Sequence, residues 1–412
     1  MTELTARELL IMLYQTALDA VDGHYLVNQW CRNLTTADKP NTEAFSHCVA
    51  IGKAAPAMLS GVLNYSPAIK QSLLICPPAK LTRAHKKNNN VQCVTSSHPI
   101  PDETSLTAGD ALIRFLDNLS AEDNLLFLIS GGTSALVEVL AKGLSLEELQ
   151  QINKYLLASG KDIHQVNAWR QRFSAIKGGG LLSRVKSASL TQLLLSDVKG
   201  DNAAFIGSGL LISSQTETDN DPFLCKFLDA IEQQNSADEI RDIEVDSHII
   251  GNIKTAMMAV HDAAESEGLD SFIHEEFLEG EAEEVASKLF TELENAARGI
   301  HIWGGETTVS LPASPGVGGR NLTLALAFAK HLEATPDLHL LAAGTDGVDG
   351  NSNCAGAVVS MYTVKKAKGM GFDMQMELDK ANAGILLMAT DDLVRAEQSN
   401  TNVMDIVIAY KS

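Results

Sequence analysis

The side chains in this sequence with the most chemical potential sit on glycine-rich turns. In Ala50-Ile-Gly-Lys-Ala-Ala55, Lys53 stands one residue past Gly52, straight after an apolar run. A cation at a helix start is electrostatically out of place. Lys53 is therefore a candidate for a phosphate oxygen, against the plainer reading of a solvated lysine. In Phe127-Leu-Ile-Ser-Gly-Gly-Thr-Ser-Ala135 an apolar run gives way to Ser130, Gly131, Gly132, Thr133 and Ser134. Glycines let a backbone approach a ligand, and the hydroxyls can bind phosphate oxygens or cap a helix; an ordinary strand-to-helix turn fits equally well. Arg170, Arg172 and Lys177 gather positive charge just before Gly178–Gly180, although helix-surface cations are common. Asp197 and Asp201 follow the apolar run Leu193–Leu195. Two carboxylates beside phosphate-binding turns could hold Mg²⁺, but Asp and Gly also form ordinary turns. Gly304, Gly305 and Glu306 are followed by Gly316-Val-Gly-Gly-Arg-Asn321, in which Gly318 and Gly319 run into Arg320 and Asn321. A guanidinium there resembles an anion clamp, because it grips phosphate or carboxylate bidentately. The last turn, Gly344-Thr-Asp-Gly-Val-Asp-Gly-Asn351, carries Asp346 and Asp349 without the order of an EF-hand loop.

Other chemistries lack their residues. There is no G-x-x-x-x-G-K-[ST], no G-x-S-x-G, no H-E-x-x-H, and no G-x-G-x-x-G after a strand. The 11 histidines form no ligand pattern. His98, in Ser97-His-Pro-Ile-Pro-Asp102, draws notice but reads by composition as a turn residue.

Such turns need strands to carry them. Short apolar runs occur at His47–Ile51, Ser72–Cys76, Leu125–Ile129, Thr191–Leu195, His248–Ile250, Ile300–Trp303, Leu338–Ala342 and Asp405–Ala409. Amphipathic stretches lie between them, at Ser105–Leu116, Leu146–Ser159 and Ala282–Ala297, and Leu10, Leu13, Ala17 and Val21 mark a first amphipathic helix. Strands alternating with helices predict an α/β fold, doubly wound, with mainly parallel sheet. Ligands in such folds bind beyond the carboxyl ends of the strands. The polar stretches Gln215–Asp221 and Glu232–Glu244 break the pattern, which divides the chain into domains 1–240 and 241–412. The acidic run Glu275–Glu284 reads as a solvated loop and helix start.

Composition narrows the partners. The 412 residues carry 32 Lys+Arg against 52 Asp+Glu, a net charge of −20, which argues against nucleic acid or an anionic membrane as partner. Hydrophobic residues at 45 % are enough for a sizeable core. Six scattered cysteines without a C-x-x-C pair exclude a zinc ribbon and a disulfide scaffold. The charged opening reads as neither signal peptide nor membrane span. The expected location is the cytoplasm.

Eight blocks in order resemble the glycerate 2-kinase family, whose carboxyl-terminal half is the MOFRL domain and whose members also carry the name hydroxypyruvate reductase. They are IGKAAPAM (51–58), SHPIPDETSLTAGDAL (97–112), LISGGTSAL (128–136), LLASGKDIHQVNAWRQRFSAIKGGGL (156–181), SDVKGD (196–201), GGETTV (304–309), GVGGRN (316–321) and GTDGVDG (344–350). The resemblance implies a Rossmann-like domain over 1–240, a MOFRL-type α/β domain over 241–412, and an active-site cleft between them. It implies transfer of the ATP γ-phosphoryl group to the 2-hydroxyl of D-glycerate, with Mg²⁺, by a monomer or homodimer. Lys53 and Arg320 would be the catalytic cations and Asp197 would hold Mg²⁺ or orient the hydroxyl, with Asp201 and Asp346 as further metal ligands. Ser130–Ser134, Arg170, Lys177, Gly304–Glu306, Gly318, Gly319 and Asn321 would hold substrate and phosphate.

Some positions depart from the family pattern. Thr133 replaces a glycine; Leu210, Leu322, Thr323 and Asn353 stand where polar groups are usual. These motivate a second reading, a non-catalytic or altered-specificity hydroxy-acid-binding paralogue. A reductase is a third, disfavoured by the missing dinucleotide fingerprint.

Overall fold

The computed structural model describes residues 5–36, 45–66, 68–161, 163–187, 189–213, 217–228, 231, 243–395 and 399–412. Two compact units emerge, one of Gly23–Ile250 and one of Met1–Asp22 with Gly251–Ser412. The boundary expected at 240/241 falls outside the described residues. The amino-terminal helix belongs with the carboxyl-terminal unit, a departure from the expected 1–240 domain. Helix Ala6–Ala20, opened by a Thr5–Glu8 capping box, buries Leu9, Leu10, Leu13, Tyr14, Ala17 and Leu18 against helix Ile253–Ser266 and the strands of that unit. Spacing alone gave the helix but not the sheet it covers.

The Gly23–Ile250 unit is built on β1 (His47–Ile51), β2 (Gln71–Cys76), β3 (Val91–Thr95), β4 (Asn124–Ile129), β5 (Ser189–Leu195) and β6 (Val245–Gly251). Their order is β3-β2-β1-β4-β5-β6, and the β1–β2, β1–β4, β2–β3 and β4–β5 pairs are parallel. This is the doubly wound order, whose direction of winding reverses between β1 and β4. β1 is buried along its whole length, as a central strand covered on both faces must be. Val49, Ile51, Leu73, Phe127, Ile129 and Leu194 pack there with Leu112 and Leu116 of helix Glu103–Asp117.

The second unit carries β7 (Ser271–Ile273), β8 (Gly299–Gly305), β9 (Leu338–Gly344), β10 (Gly356–Val359), β11 (Leu393–Val394) and β12 (Asp405–Lys411), in the order β11-β10-β9-β12-β8-β7. Only β7–β8 pair in parallel; β12 runs antiparallel to both its neighbours, and β10 to β9 and β11. The expectation of mainly parallel sheet therefore holds for the first unit and not for the second. The connection from β9 to β10 spans only residues 345–355, too short for a helical crossover, and so the chain turns back on itself. Helix Arg320–Ala329 lies buried on all sides from Asn321 to Ala329 at the centre of this core.

No helix among the described residues is long and apolar enough to cross a membrane. All six cysteines are free thiols, and burial raises the Cys76 thiol to about 12.

Candidate active site

At the β1/β4 reversal two of the glycine turns interlock. The Ser130 N–H donates to Ile51 O at 3.1 Å and the Lys53 N–H to Gly131 O at 2.9 Å. The Ala54 N–H reaches Ser130 Oγ at 3.1 Å. Gly52, at φ +130°, is indispensable, because a Cβ there would collide with Ser130. Gly132, at φ +87°, is the second such position: a Cβ would stand 3.0 Å from His98 Cδ2 and 3.3 Å from Lys53 Cγ. Three segments, following β1, β3 and β4, thus bring Lys53, His98 and the Gly131-Gly132 backbone to one point. The edge where they meet is the ligand-binding edge of a doubly wound sheet.

Within Ser130–Ser134 the roles divide. Ser130 and Thr133 are fully buried, and Thr133 Oγ1 donates to Ser130 O at 2.7 Å and Ile51 O at 3.1 Å. Its side chain braces the turn from within. The expected contribution of both hydroxyls to an anion gives way to this internal bonding. Ser134 Oγ pairs with Ser208 Oγ at 2.6 Å. The helix that follows is one turn, Thr133–Leu136, too short to add much dipole charge. Positive charge at the turn rests on Lys53.

Lys177, expected on the substrate, is instead 6 % exposed and its ammonium donates to Glu138, itself 1 % exposed. Glu138 Oε1 accepts from Ser174 Oγ at 2.6 Å and from the Val139 N–H at 3.1 Å. Its three bonding partners are the adjacent Val139 N–H and, from the segment that runs into the glycines, Ser174 and Lys177, so the pair ties the Lys-Gly-Gly-Gly turn to the segment after β4. Arg170 Nε donates to Asn153 Oδ1 at 3.2 Å. Burial holds its guanidinium below the usual arginine value, an effect that Glu138 opposes. Asp197, half-buried, follows β5, and Asp201 adopts φ +54°.

In the second unit the ends of β8 and β9 meet the start of β12, where Asp405 lies opposite Gly305 and Gly344. Arg320 Nε and Nη2 donate to Asp405 Oδ2 and Oδ1 at 2.5 and 3.0 Å, and Nη1 lies 2.6 Å from Glu306 Oε1. Burial opposes the Arg320 charge, but Asp405 and Glu306 outweigh it and hold the group above its ordinary value. Asp349, 2 % exposed, accepts from the Asn321 N–H, Asn321 Nδ2 and the Leu322 N–H at 3.1, 3.3 and 2.9 Å. Burial nevertheless raises its carboxyl to about 6. Asn321 is thus an internal partner of Asp349, contrary to its expected ligand role. Gly304 and Gly305 are likewise packing glycines, since a Cβ on either would strike Ile253 or Leu278. Gly319 makes room for Asp349, whereas Gly318 is comparatively open. Asp346 Oδ1 accepts from the Val348 N–H at 3.1 Å.

Sequence reasoning missed Glu138, Asp405 and Tyr14. Tyr14 OH donates to Gly344 O at 2.6 Å. One signal was available for Asp405: a lone carboxylate opening an otherwise apolar strand.

No group of three or more His, Cys, Asp or Glu able to hold a metal occurs among the described residues. That donor set fits Mg²⁺ only where phosphate and water complete its shell, which is the habit of this ion. Asp197 and Asp201 are the carboxylates at the first sheet's carboxyl edge that could anchor it.

A family model described as a domain of unknown function (DUF4147) matches residues 9–242, and the MOFRL family model matches 299–405. The D-glycerate 2-kinase of Thermotoga maritima is 32 % identical over 377 residues, covering 87 % of this chain and 89 % of that protein. The chain belongs to the glycerate 2-kinase family. As a member it is a kinase, an enzyme that uses a nucleotide and a small-molecule acceptor. The glycerate 2-kinase of Pyrococcus horikoshii is 29 % identical across 88 % of this chain and 86 % of its own length. A crystal structure of glycerate kinase from Thermotoga maritima superposes with a TM-score of 0.82 at 28 % identity, covering 98 % of this chain and 99 % of that one. The family relation accounts for the two different sheets in one chain.

Proposed function

We propose that this kinase transfers the γ-phosphoryl group of ATP to the 2-hydroxyl of D-glycerate, giving 2-phosphoglycerate, with Mg²⁺ as the ion. The observation that carries the reading is the junction of Lys53 with the Gly131-Gly132 turn at the β1/β4 reversal. Phosphoryl transfer asks a protein mainly for positioning and for cations at the transferring group. Lys53 supplies the cation, and Gly131 and Gly132 supply backbone without side-chain obstruction. Mg²⁺, when bound, would share the phosphate charge with Lys53. Asp197 holds the ion or orients the acceptor hydroxyl, and Asp201 supports it. Arg170 holds the glycerate carboxylate, while Lys177 keeps its turn in place through Glu138. In the carboxyl-terminal unit Arg320, aimed by Asp405 and Glu306, is the second catalytic cation; Gly318 lets backbone come close, and Asp346 is a further carboxylate for the ion. The enzyme works in the cytoplasm as a monomer or homodimer, without nucleic acid or membrane.

The test is incubation of purified protein with D-glycerate, ATP and Mg²⁺, with 2-phosphoglycerate resolved from 3-phosphoglycerate. ATP-dependent 2-phosphoglycerate that vanishes with EDTA is the expected result. Formation of 3-phosphoglycerate alone, or no product from folded protein, would refute it.

A further inference from the structure

His98 is the side chain at the β1/β4 edge to which neither the sequence pattern nor the proposed reaction has given work. It lies on the segment between β3 and helix Glu103–Asp117, a segment tied down from both sides. The Ser97 N–H donates to Thr104 Oγ1 at 2.9 Å, Asp102 caps the helix through the Thr104 N–H at 2.8 Å, and Gln150 Nε2 donates to Pro101 O at 3.1 Å. The ring is exposed, yet its Cδ2–Nε2 edge lies against Gly132, with Nε2 3.3 Å from where a Cβ would stand. The Lys53 side chain lies against the same glycine, also at 3.3 Å. One glycine without a side chain thus has the stem of a lysine and an imidazole edge packed against it. The lysine suits a transferring phosphoryl and the imidazole suits a proton.

Resting on the proposed glycerate kinase reaction, we propose that His98 is its proton acceptor. As the acceptor oxygen bonds to the γ-phosphorus, its hydroxyl proton passes to His98 Nε2. The bond from the γ-phosphorus to the bridging oxygen breaks, and ADP leaves with that electron pair. Imidazole is the side chain whose ordinary pKa suits such a transfer near neutrality. Lys53 faces His98 across Gly132, and Asp102 follows on its own segment. The ring accepts the proton in its neutral form, at an Nε2 that carries no hydrogen.

The experiment compares wild type with His98→Gln, whose amide fills similar space without taking a proton. The expected result is a kcat loss of about 100-fold, with KM for glycerate within about threefold and an unchanged melting temperature. The acid limb of the kcat–pH profile should disappear. A variant that keeps wild-type kcat, or keeps the acid limb, overturns the assignment. If wild type makes no phosphoglycerate, the underlying reading fails, and a second measurement still judges the placement of His98. Inorganic phosphate titrated into wild type should shift the His98 ring resonances, identified by their absence from His98→Gln. Resonances that stay fixed at saturating phosphate would remove His98 from the anion site.

Discussion

Lys177 allows a quantitative test of how this scaffold is held together. Its ammonium and the Glu138 carboxylate have side-chain exposures of 3 % and 0 %, so neither charge can turn to water if the other is removed. Breaking such a pair typically costs about 3–5 kcal/mol, mostly from the stranded charge. Ser174 and the Val139 N–H still bond Glu138 in a Lys177→Met variant, which places the expectation toward 3 kcal/mol. For a unit of this size each kcal/mol moves the midpoint by about 2–4 °C, so the melting temperature should fall by about 6–12 °C. Glu138→Gln should cost a comparable amount. The double variant removes both charges, so it should be more stable than the sum of the singles by at least about 1.5 kcal/mol. Urea denaturation of the four proteins, read by circular dichroism, closes the cycle. If Lys177 were a ligand group on an open turn, Lys177→Met would weaken substrate binding at almost constant stability. A loss below about 1 kcal/mol, or simple additivity in the double variant, would refute the buried-pair argument.

Lys53→Ala should lower kcat by at least about 10²–10³-fold at unchanged melting temperature, and normal turnover would remove Lys53 from the reaction. Arg320→Ala should lower kcat and stability together, because it strands the Asp405 carboxylate, at a cost of about 1–3 kcal/mol; adding Asp405→Asn should recover stability without recovering kcat. The Asp349 carboxyl, raised to about 6 by burial, binds a proton in the folded protein that it has lost in the unfolded one between about pH 4 and 6. Its contribution therefore falls as pH rises through that window, and the wild-type minus Asp349→Asn difference in unfolding free energy should decline from pH 4 to 6; a flat difference would refute the assignment. Lys161 lies 2.5 Å from Asp219 and 2.9 Å from Asp221. Asp219 is lowered chiefly by Lys161, and Asp221 is lowered by Lys161 and its other hydrogen-bond donors against the effect of burial. Their stabilisation is present above the unfolded carboxylate value and lost as pH falls through the lower folded one. Trp169 Nε1 donates to Asp219 at 2.7 Å, so fluorescence present in wild type and absent from Trp169→Phe should change below about pH 4; no acid transition would count against it.

The long buried strands were readable from sequence, as was the edge strand β6 through His248–Ile250, whereas the edge strands β3, β7 and β11 and the short β10 were not. β1 and β8 are buried at every residue, so both faces demand apolar side chains and the run is continuous. β3 buries only Val91 fully, and β11 has two residues; an edge need not be apolar, and so these escaped notice. Strand direction was invisible for a related reason: an apolar run reads the same in either sense, and a short link such as that between β9 and β10 betrays the direction of its own pair alone. The site was legible as turns, because glycine density and charge announce a special backbone. Which charges face a ligand was not legible. Lys53, Lys177 and Arg320 look alike in sequence, but Lys177 has a buried carboxylate 39 residues upstream and Arg320 has one 85 residues downstream. Partners at such separation leave no local pattern.

The same separation bears on the departures from the family pattern. A lost polar group weakens the kinase reading if its replacement stands in the site, and matters less if it packs inward. Leu210 and Leu322 are 1 % and 0 % exposed, each within the apolar core of its own unit. Thr133 turns its hydroxyl back onto two carbonyls. Each satisfies an internal demand, either for apolar volume or for a buried carbonyl's partner. Asn353 alone is exposed. Leu322→Gln measures what these positions do. As a core change it should destabilise by about 2–4 kcal/mol, since a buried amide without partners is costly, and it should leave kcat of the folded fraction unaltered. A gain in kcat would instead mean that position 322 faces the chemistry and that the leucine has cost the enzyme activity.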